Sequence, residues 1–138
     1  MTIDSIKNGI VIDHISVGNA MKLYKLLKLE LLDCPVAIMQ NVYSNKMGRK
    51  DIIKIDGEVD LNMDILGYVD PKATIDIIRE SVLVDKYSIA PPEKLRDVIF
   101  CKNPRCITTT EQELPHIFKL TDSENHVYRC IYCETKAK

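Results

Sequence analysis

Four cysteines in the last 38 residues have the spacing of metal ligands. Cys101 and Cys106 form one close pair, Cys130 and Cys133 form a second, and 23 residues separate the two pairs. Two such pairs allow a chain to surround a tetrahedral metal ion with thiolates from two turns. A disulfide is another reading of the first pair, and redox catalysis is another reading of the second.

The rest of the sequence favours the metal over both alternatives. The N-terminus, MTIDSIKNG, lacks the basic start and apolar stretch of a signal peptide, so a cytoplasmic location is expected, where structural disulfides are rare. No βαβ pattern precedes the second pair, as a redox motif would require. Because four thiolates close the ligand shell, His116 and His126 are expected to be surface or packing residues. We predict one structural zinc ion per chain, bound by Cys101, Cys106, Cys130 and Cys133.

A Pro-Pro pair divides the 138-residue chain into two predicted domains, 1–92 and 93–138. Pro91 and Pro92 resist continuation of a strand or a helix, and all five glycines precede them. The second segment is too short to fold by apolar burial alone. Metal binding, worth about 10–16 kcal/mol in zinc-finger peptides, is expected to supply the missing folding energy.

The first ninety residues alternate between the periodicities of strands and helices. Helices are predicted at 19–32, with Asn19 as N-cap, and at 60–70. Strands are predicted at 9–15, 34–44, 51–56, 73–80 and 81–89. Gly48 is expected to supply a positive φ in the turn before the third strand. This order predicts an α+β, ferredoxin-like domain with an extra strand, followed by a small all-β zinc domain.

Alternation along the strands assigns the two faces of the predicted sheet. One face is apolar and is expected to pack beneath the helices, with Ile53, Ile55, Ile75, Ile77, Val82 and Val84. The other face mixes apolar and charged residues, at Val11, Asp13, Ile52, Lys54, Asp76, Ile78 and Leu83. Such a face fits a ligand-binding surface and also a solvated one. Asp13 and His14 are expected on opposite faces because they are neighbours in one strand.

Charge and motif content argue against other classes of function. A zinc-ribbon protein that binds nucleic acid is the alternative reading of the four cysteines. Such a protein normally has a basic surface, whereas the formal net charge here is -1 and the second domain holds 8 basic and 7 acidic side chains. A cluster at Lys46, Arg49, Lys50 and Lys54 could contact phosphates, although such runs are usually solvated turns. The sequence contains no run of eighteen apolar residues, so no membrane span is predicted. The sequence also lacks a glycine-rich phosphate loop and any Cys–His or Ser–His signature, so an enzyme is not predicted.

Motifs along nearly the whole chain resemble one family. GIVIDHI at 9–15, MGRKDIIKI at 47–55, PKATIDII at 71–78 and the C-x4-C-x23-C-x2-C pattern with YCE resemble the regulatory chain of aspartate carbamoyltransferase. The resemblance implies a non-catalytic, allosteric subunit of de novo pyrimidine biosynthesis. It implies that the first domain binds the nucleotide effectors CTP and ATP, with UTP as a further candidate, and pairs with a second copy. The zinc domain would dock onto the catalytic chains.

The resemblance also implies an effector site on the mixed face of the sheet. Asp13 and His14 match a polar pair at the nucleotide, and Lys54 and Lys86 match lysines for ribose and phosphates. Apolar positions around base and sugar match Val11, Ile52, Ile78 and Leu83. Lys86 has the wrong parity for this face, so a bulge or the strand end would have to turn it.

Two departures from the family pattern leave base selectivity and the direction of regulation open. Asp76 stands near the base where more familiar members have asparagine, and Ser81 stands where they have tyrosine. In the zinc domain, Asn103 and Glu134 match positions at the interface with the catalytic chain. Ile3, Ser5 and Ile6 match the N-terminal segment that covers the nucleotide.

Overall fold

A computed structural model describes residues 6–137 of the chain. The chain divides into two compact units, Met1–Ala90 and Pro91–Lys138. The first contains a five-stranded antiparallel sheet with two helices, and the second contains a three-stranded antiparallel sheet with one helical turn. The predicted combination of an α+β domain and a small four-cysteine domain is confirmed. Within the described residues, no helix is long and apolar enough to cross a lipid bilayer.

The elements of the first unit follow the order expected from the sequence. Strands β1 to β5 span Gly9–Ile15, Val36–Ser44, Gly48–Ile55, Thr74–Arg79 and Val82–Ser88. Helices α1 and α2 span Ala20–Leu26 and Met63–Val69. The spatial order β2-β3-β1-β4-β5 fits a ferredoxin-like sheet with β5 added at one edge. Gly48 has the expected positive φ, 80°.

The first helix is shorter than its leucine spacing predicts. It ends at Leu26 instead of continuing to residue 32, and a 3₁₀ turn follows at Leu29–Leu31. Lys28 adopts a left-handed conformation between them, with φ 56°, and the turn beyond it buries Leu29. Asn19 occupies the N-cap position, but its side chain donates to Asp70 and makes no capping hydrogen bond.

The second helix begins later than predicted, at Met63 instead of residue 60. Asn62 decides this start, because its side-chain oxygen accepts hydrogen bonds from the backbone N–H groups of Asp64 and Ile65, at 3.0 and 3.3 Å. Asparagine is among the preferred N-cap residues because its side chain accepts hydrogen bonds from backbone N–H groups of the first turn, which have no partner within the helix.

The core of the first unit lies between the sheet and the two helices. Its fully buried members are Ile12, Ile15, Ile53, Ile55 and Ile75 from the sheet and Leu23 and Leu66 from the helices. Val82 and Val84 are 59% and 53% exposed, so their expected burial is wrong. They lie on β5, every residue of which is exposed, at the edge of the sheet.

The second unit has a smaller core on one face of its sheet. Strands β6, β7 and β8 span Lys94–Arg96, Ile117–Asp122 and Val127–Cys130, and the helical turn α3 spans Ile107–Thr110. Its buried side chains include Leu95, Phe118 and Tyr128. The Tyr128 hydroxyl donates to the carbonyl of Pro92 at 2.6 Å. Three short strands bury few side chains, as expected for a domain that needs a further source of stability.

A buried carboxylate joins three parts of the first unit. Asp51, on β3, is 0% exposed and accepts hydrogen bonds from the backbone N–H groups of Gly18, Ala20 and Asn41. Gly18 and Ala20 lie at the start of α1, and Asn41 is a positive-φ residue beside an irregularity in β2. Asp51 also pairs with Ile15, just beyond an irregularity in β1. This side chain therefore joins the start of α1 to the irregularity in β2, and the backbone of Asp51 lies beside the irregularity in β1.

We expect Asp51→Asn to destabilise the first unit by at least about 2 kcal/mol, because an amide cannot replace both carboxylate oxygens as acceptors. Urea denaturation followed by circular dichroism measures the loss. The matched control is Asp33→Asn, at an exposed aspartate, which should change the free energy of unfolding by less than about 0.5 kcal/mol. An unchanged midpoint for Asp51→Asn would contradict the role assigned to this carboxylate.

Candidate metal centre and ligand-binding face

The four predicted cysteines converge in the second unit. Their Sγ atoms all lie within 4.8 Å of one another. Cys101 and Cys133 are 3.5 Å apart, and Cys106 and Cys130 are 3.7 Å apart. These distances exclude disulfides, whose sulfurs are about 2.05 Å apart. A tetrahedral ion with metal–sulfur bonds of about 2.3 Å separates its ligand sulfurs by roughly 3.8 Å, so the cluster fits a four-coordinate metal.

The thiols differ in their tendency to ionise. Burial raises the pKa of Cys101 to about 12, with further contributions from the neighbouring thiols. Burial also opposes ionisation of Cys133, but hydrogen bonds, chiefly those to Thr135, lower its pKa to about 6. The Thr108 hydroxyl donates to Cys106 Sγ at 3.1 Å and so orients that ligand. Four thiolates this close repel one another unless a cation neutralises them.

Both histidines of the second unit lie outside the thiol cluster. His116 Nδ1 accepts a hydrogen bond from the backbone N–H of Cys101 at 3.1 Å, and its ring packs edge-on against Phe100 with centroids 4.8 Å apart. His126 is exposed in the turn between β7 and β8. His116 therefore positions the backbone of a ligand residue, a role that the sequence did not indicate.

In the first unit, a row of side chains crosses all five strands on the face opposite the buried isoleucines. The strand register places Ala37, Lys54, Val11, Asp76 and Lys86 side by side in this order. Val11 is buried between Lys54 and Asp76, and Lys86 lies directly opposite Asp76. The row brings together two cations, one acid and one apolar residue from the predicted effector site.

A bulge explains how Lys86 reaches this face. Asp85 pairs with Ile77 whereas Leu83 pairs with Ile78, so β5 contains one extra residue at this point. The extra residue reverses the alternation between Leu83 and Lys86, and both side chains share the face of Asp76. The sequence required such a bulge, and the structure contains it. Ile78 and Leu83 form an apolar patch next to the charged row.

A second bulge brings Asp13 and His14 to the same side of the sheet. His14 has φ 55°, and the register between β1 and β3 shifts beside it. Asp13 Oδ1 lies 2.9 Å from Lys50 Nζ, and His14 Nδ1 lies 3.0 Å from Thr74 Oγ1. Thr74 is itself the register partner of Asp13 on β4. The prediction of opposite faces is therefore wrong, because an extra left-handed residue interrupts the alternation.

Lys50 is the residue of this face that sequence reasoning missed. Its place in a charged run with Lys46 and Arg49 favours a solvated turn, but β3 already begins at Gly48. The Lys50 side chain is only 16% exposed and makes an ion pair with Asp13. Its parity matches that of Ile52 and Lys54, and this signal could have identified it.

The two acids of the face have opposite electrostatic environments. Burial raises the pKa of Asp76, against the effect of Lys86, and its buried Oδ1 has no hydrogen-bond partner in the part of the chain that the structure describes. Burial acts in the same direction on Asp13. There, the Lys50 ammonium and the backbone N–H of His14 outweigh burial and lower the pKa of Asp13. An unsatisfied acceptor among cations is suited to a ligand that brings both a donor and negative charge.

The remaining predicted positions fall at the margins of this face. Ile52, two residues before Lys54 on β3, is half-buried, and Leu83 is 53% exposed. Ile6 is buried, whereas Ile3 and Ser5 lie outside the described residues. The face therefore has an apolar end at Ile78 and Leu83 and a polar end at Asp13 and Lys50, on either side of the charged row.

Comparison with known families gives one match for each unit. Residues 1–90 match the family described as aspartate carbamoyltransferase regulatory chain, allosteric domain. Residues 93–138 match the family described as the metal binding domain of the same chain. The two matches together cover nearly the whole sequence.

Curated relatives are similar over almost their full length. A protein of Clostridium botulinum (strain Hall) is 48% identical over 134 residues, which are 97% of this chain and 92% of the relative. A protein of Clostridium tetani is 47% identical over 97% of this chain and 94% of its own. A protein of Bifidobacterium longum is 41% identical over 100% of this chain and 99% of its own. Each is named aspartate carbamoyltransferase regulatory chain.

We expect elemental analysis to find one divalent metal ion per chain, and its removal to unfold the second unit while the first stays folded. The reason is that the small core depends on the free energy of metal binding. Treatment with a mercurial and a chelator, followed by two-dimensional NMR, measures both effects. Cys106→Ser should lose the metal, whereas the matched control Cys34→Ser, in the first unit, should retain it. A folded second unit in metal-free protein would contradict this prediction.

Proposed function

Because the chain belongs to the family of aspartate carbamoyltransferase regulatory chains, we propose that it binds nucleotide effectors on the sheet of its first unit and transmits their effect to the catalytic chains. A regulatory chain is a non-catalytic subunit, so its contribution is a coupling free energy between two sites. The observation that carries the proposal is the face of the first unit, where lysines and an unsatisfied carboxylate lie beside an apolar patch.

This face supplies groups for each part of a nucleotide. Lys54, Lys86 and Lys50 provide ammonium groups for the phosphates, and charge-assisted hydrogen bonds of this kind are the strong ones. Asp13 holds Lys50 at 2.9 Å, and Thr74 orients the His14 ring. The base and sugar would pack on the apolar positions Val11, Ile52, Ile78 and Leu83. Clefts that combine apolar walls with a few placed polar groups are typical of cofactor sites.

Asp76 supports a preference among the effectors CTP, ATP and UTP. Its buried Oδ1 lacks a donor in the described structure, and an ionised carboxylate only accepts hydrogen bonds. Cytosine and adenine each carry an exocyclic amino group, whereas uracil presents a carbonyl at the same position. A nucleotide whose amino group reaches Asp76 would satisfy this acceptor. We therefore propose that CTP and ATP bind more tightly than UTP.

The metal that fits the thiol cluster best is zinc. Zinc accepts four cysteine ligands in a tetrahedral arrangement, and such closed sites are structural. When bound, a divalent ion would offset two of the four thiolate charges and would contribute folding free energy to the second unit. Free thiols of this kind persist in a reducing compartment, which is consistent with a cytoplasmic location. The elemental analysis described above also identifies the metal.

Assembly with other chains would use both units. In the described sheet, the edge strands β2 and β5 each pair with one neighbour, so their outer backbone groups can pair with a second copy. β5 exposes Val82, Val84 and Tyr87 as apolar contacts for such a homodimer. The second unit would dock onto the catalytic chain through the loops of the metal centre, near Asn103 and Glu134.

Lys54→Ala or Lys86→Ala should weaken binding of nucleoside triphosphates by about ten- to a hundredfold, since each removes a charge-assisted hydrogen bond worth roughly 1.5–3 kcal/mol. Calorimetric titration of the isolated chain measures the affinity, and circular dichroism checks the fold. Lys46→Ala, an exposed lysine in the turn of the same hairpin, is the matched control and should bind normally. Equal affinities in all three variants would place the nucleotide elsewhere.

Asp76→Asn should narrow the difference in affinity between CTP and UTP, because an amide can donate to the uracil carbonyl as well as accept. Titrations of wild type and variant with both nucleotides measure this difference. Asp64→Asn, at an exposed acid on α2, is the control and should leave the ratio unchanged. Identical curves for CTP and UTP in wild type, unaltered by Asp76→Asn, would show that this side chain does not read the base.

Mixed with its cognate catalytic chains, the protein should form a larger complex whose aspartate saturation depends on nucleotide. Coupling between allosteric sites is typically about 1–3 kcal/mol, which corresponds to shifts in half-saturation of roughly five- to 150-fold. Sedimentation measures the assembly, and initial rates with and without CTP measure the coupling. The chain alone should catalyse no carbamoyl transfer. Failure to associate would refute the proposed function even if nucleotides bind.

A further inference from the structure

The outer face of the sheet in the second unit carries a row of four cations. Lys94 lies opposite Lys119, Lys119 lies opposite Arg129, and Arg129 forms an isolated bridge with Lys136. Arg96 has the same parity as Lys94 on β6 and adds a fifth positive charge. The other face of these strands holds the buried core of the unit. The row is therefore a property of the strand register and is not evident from the nearly neutral composition of this unit.

No carboxylate neutralises this row within the part of the chain that the structure describes. The ion pairs found there join Lys50 to Asp13 and Arg79 to Glu58, both in the first unit. Arg129 donates to the backbone carbonyl of Glu134 at 3.0 Å and is in neither of these ion pairs. Like charges directly opposite each other on a sheet are destabilising. The row therefore weakens the fold of a small unit unless an anion binds to it.

The row borders a surface cavity of about 470 Å³. The cavity is lined by the cations Lys94, Lys119 and Arg129 and by Thr121, Cys130, Ile131 and Glu134, so it borders the metal centre. Neighbouring strands are about 4.8 Å apart, so one small anion can contact two or three of the cations at once. The guanidinium of Arg129 offers paired donors that match phosphate oxygens, and the Thr121 hydroxyl offers another. Glu134 is the one acid of the lining, against three cations.

We propose that this cavity binds a small, multiply charged phosphate anion, either inorganic or the polyphosphate part of a nucleotide, at a site separate from the face of the first unit. Two macromolecular partners fit less well. A stable protein interface buries about 800 Å² on each partner, more than three strands of 3, 6 and 4 residues present. Single-stranded nucleic acid usually stacks on aromatic side chains, and the lining contains none.

The test is an NMR titration of the full-length, metal-loaded chain with tripolyphosphate at low salt. We expect amide shifts in β6, β7 and β8. A Lys119→Ala/Arg129→Ala double variant should bind at least about tenfold more weakly, since the loss of even one good contact corresponds to about tenfold. Lys22→Ala, an exposed lysine on α1, is the control and should not change these shifts. Metal content and amide dispersion verify that the double variant is folded.

A second variant separates this proposal from the proposed function. Lys54→Ala should weaken binding to the first unit and leave the shifts in the second unit intact, so either site can fail without the other. If CTP changes the amide shifts of the second unit more strongly than tripolyphosphate does, the natural ligand is a nucleotide. If tripolyphosphate changes them more strongly, the ligand is an inorganic anion. Both results support the site. Shifts confined to the first unit, or unchanged affinity in the double variant, would overturn it. Tighter binding of a polyglutamate peptide or an oligodeoxynucleotide would also overturn it.

Discussion

The central strand β1 contains a left-handed residue, and two buried carboxylates bind the backbone that directly follows it. His14 has φ 55°, and just beyond it the backbone N–H groups of Ser16 and Gly18 donate to Asp70 and Asp51 at 2.6 and 3.0 Å. These contacts fix the point at which the strand stops alternating and turns toward α1. Because the alternation is broken there, the Asp13 and His14 side chains both join the face that carries the three lysines. The polar end of this face therefore depends on hydrogen bonds made by Asp70 and Asp51.

The two units rely on different sources of stability. The first has isoleucines from three strands packed against two helices, and this burial supports an independent fold. The second has only a few large buried side chains, and its strands have 3, 6 and 4 residues. Four converging thiols give it a metal site whose binding free energy can replace the missing core. Removal of the metal would thus affect one unit and leave the other folded, in line with the separate family matches of the two units.

Charge is arranged differently on the two sheets. On the first, Lys50 lies beside Asp13 and Lys86 lies opposite Asp76, so the face presents both cations and carboxylates. On the second, cations lie side by side across strands with no acid in the row. Such a row attracts phosphate without regard to the group attached to it. The first arrangement is suited to selecting a nucleotide and the second to binding charge alone.

The sequence by itself determined the features that depend on local spacing. Each cysteine pair is set by one short turn, so the four thiols could be assigned without a structure, and strict alternation predicted the buried isoleucines of β3. The tertiary structure alone decided the position of Lys86 and the shared side of Asp13 and His14. Those features depend on bulges, which strand periodicity does not encode. The chain that follows the bulge in β1 is bound by Asp70 and Asp51, which are distant in sequence. The exposure of Val82 and Val84 was likewise decided by tertiary structure, because burial of an edge strand depends on whether a helix extends over it.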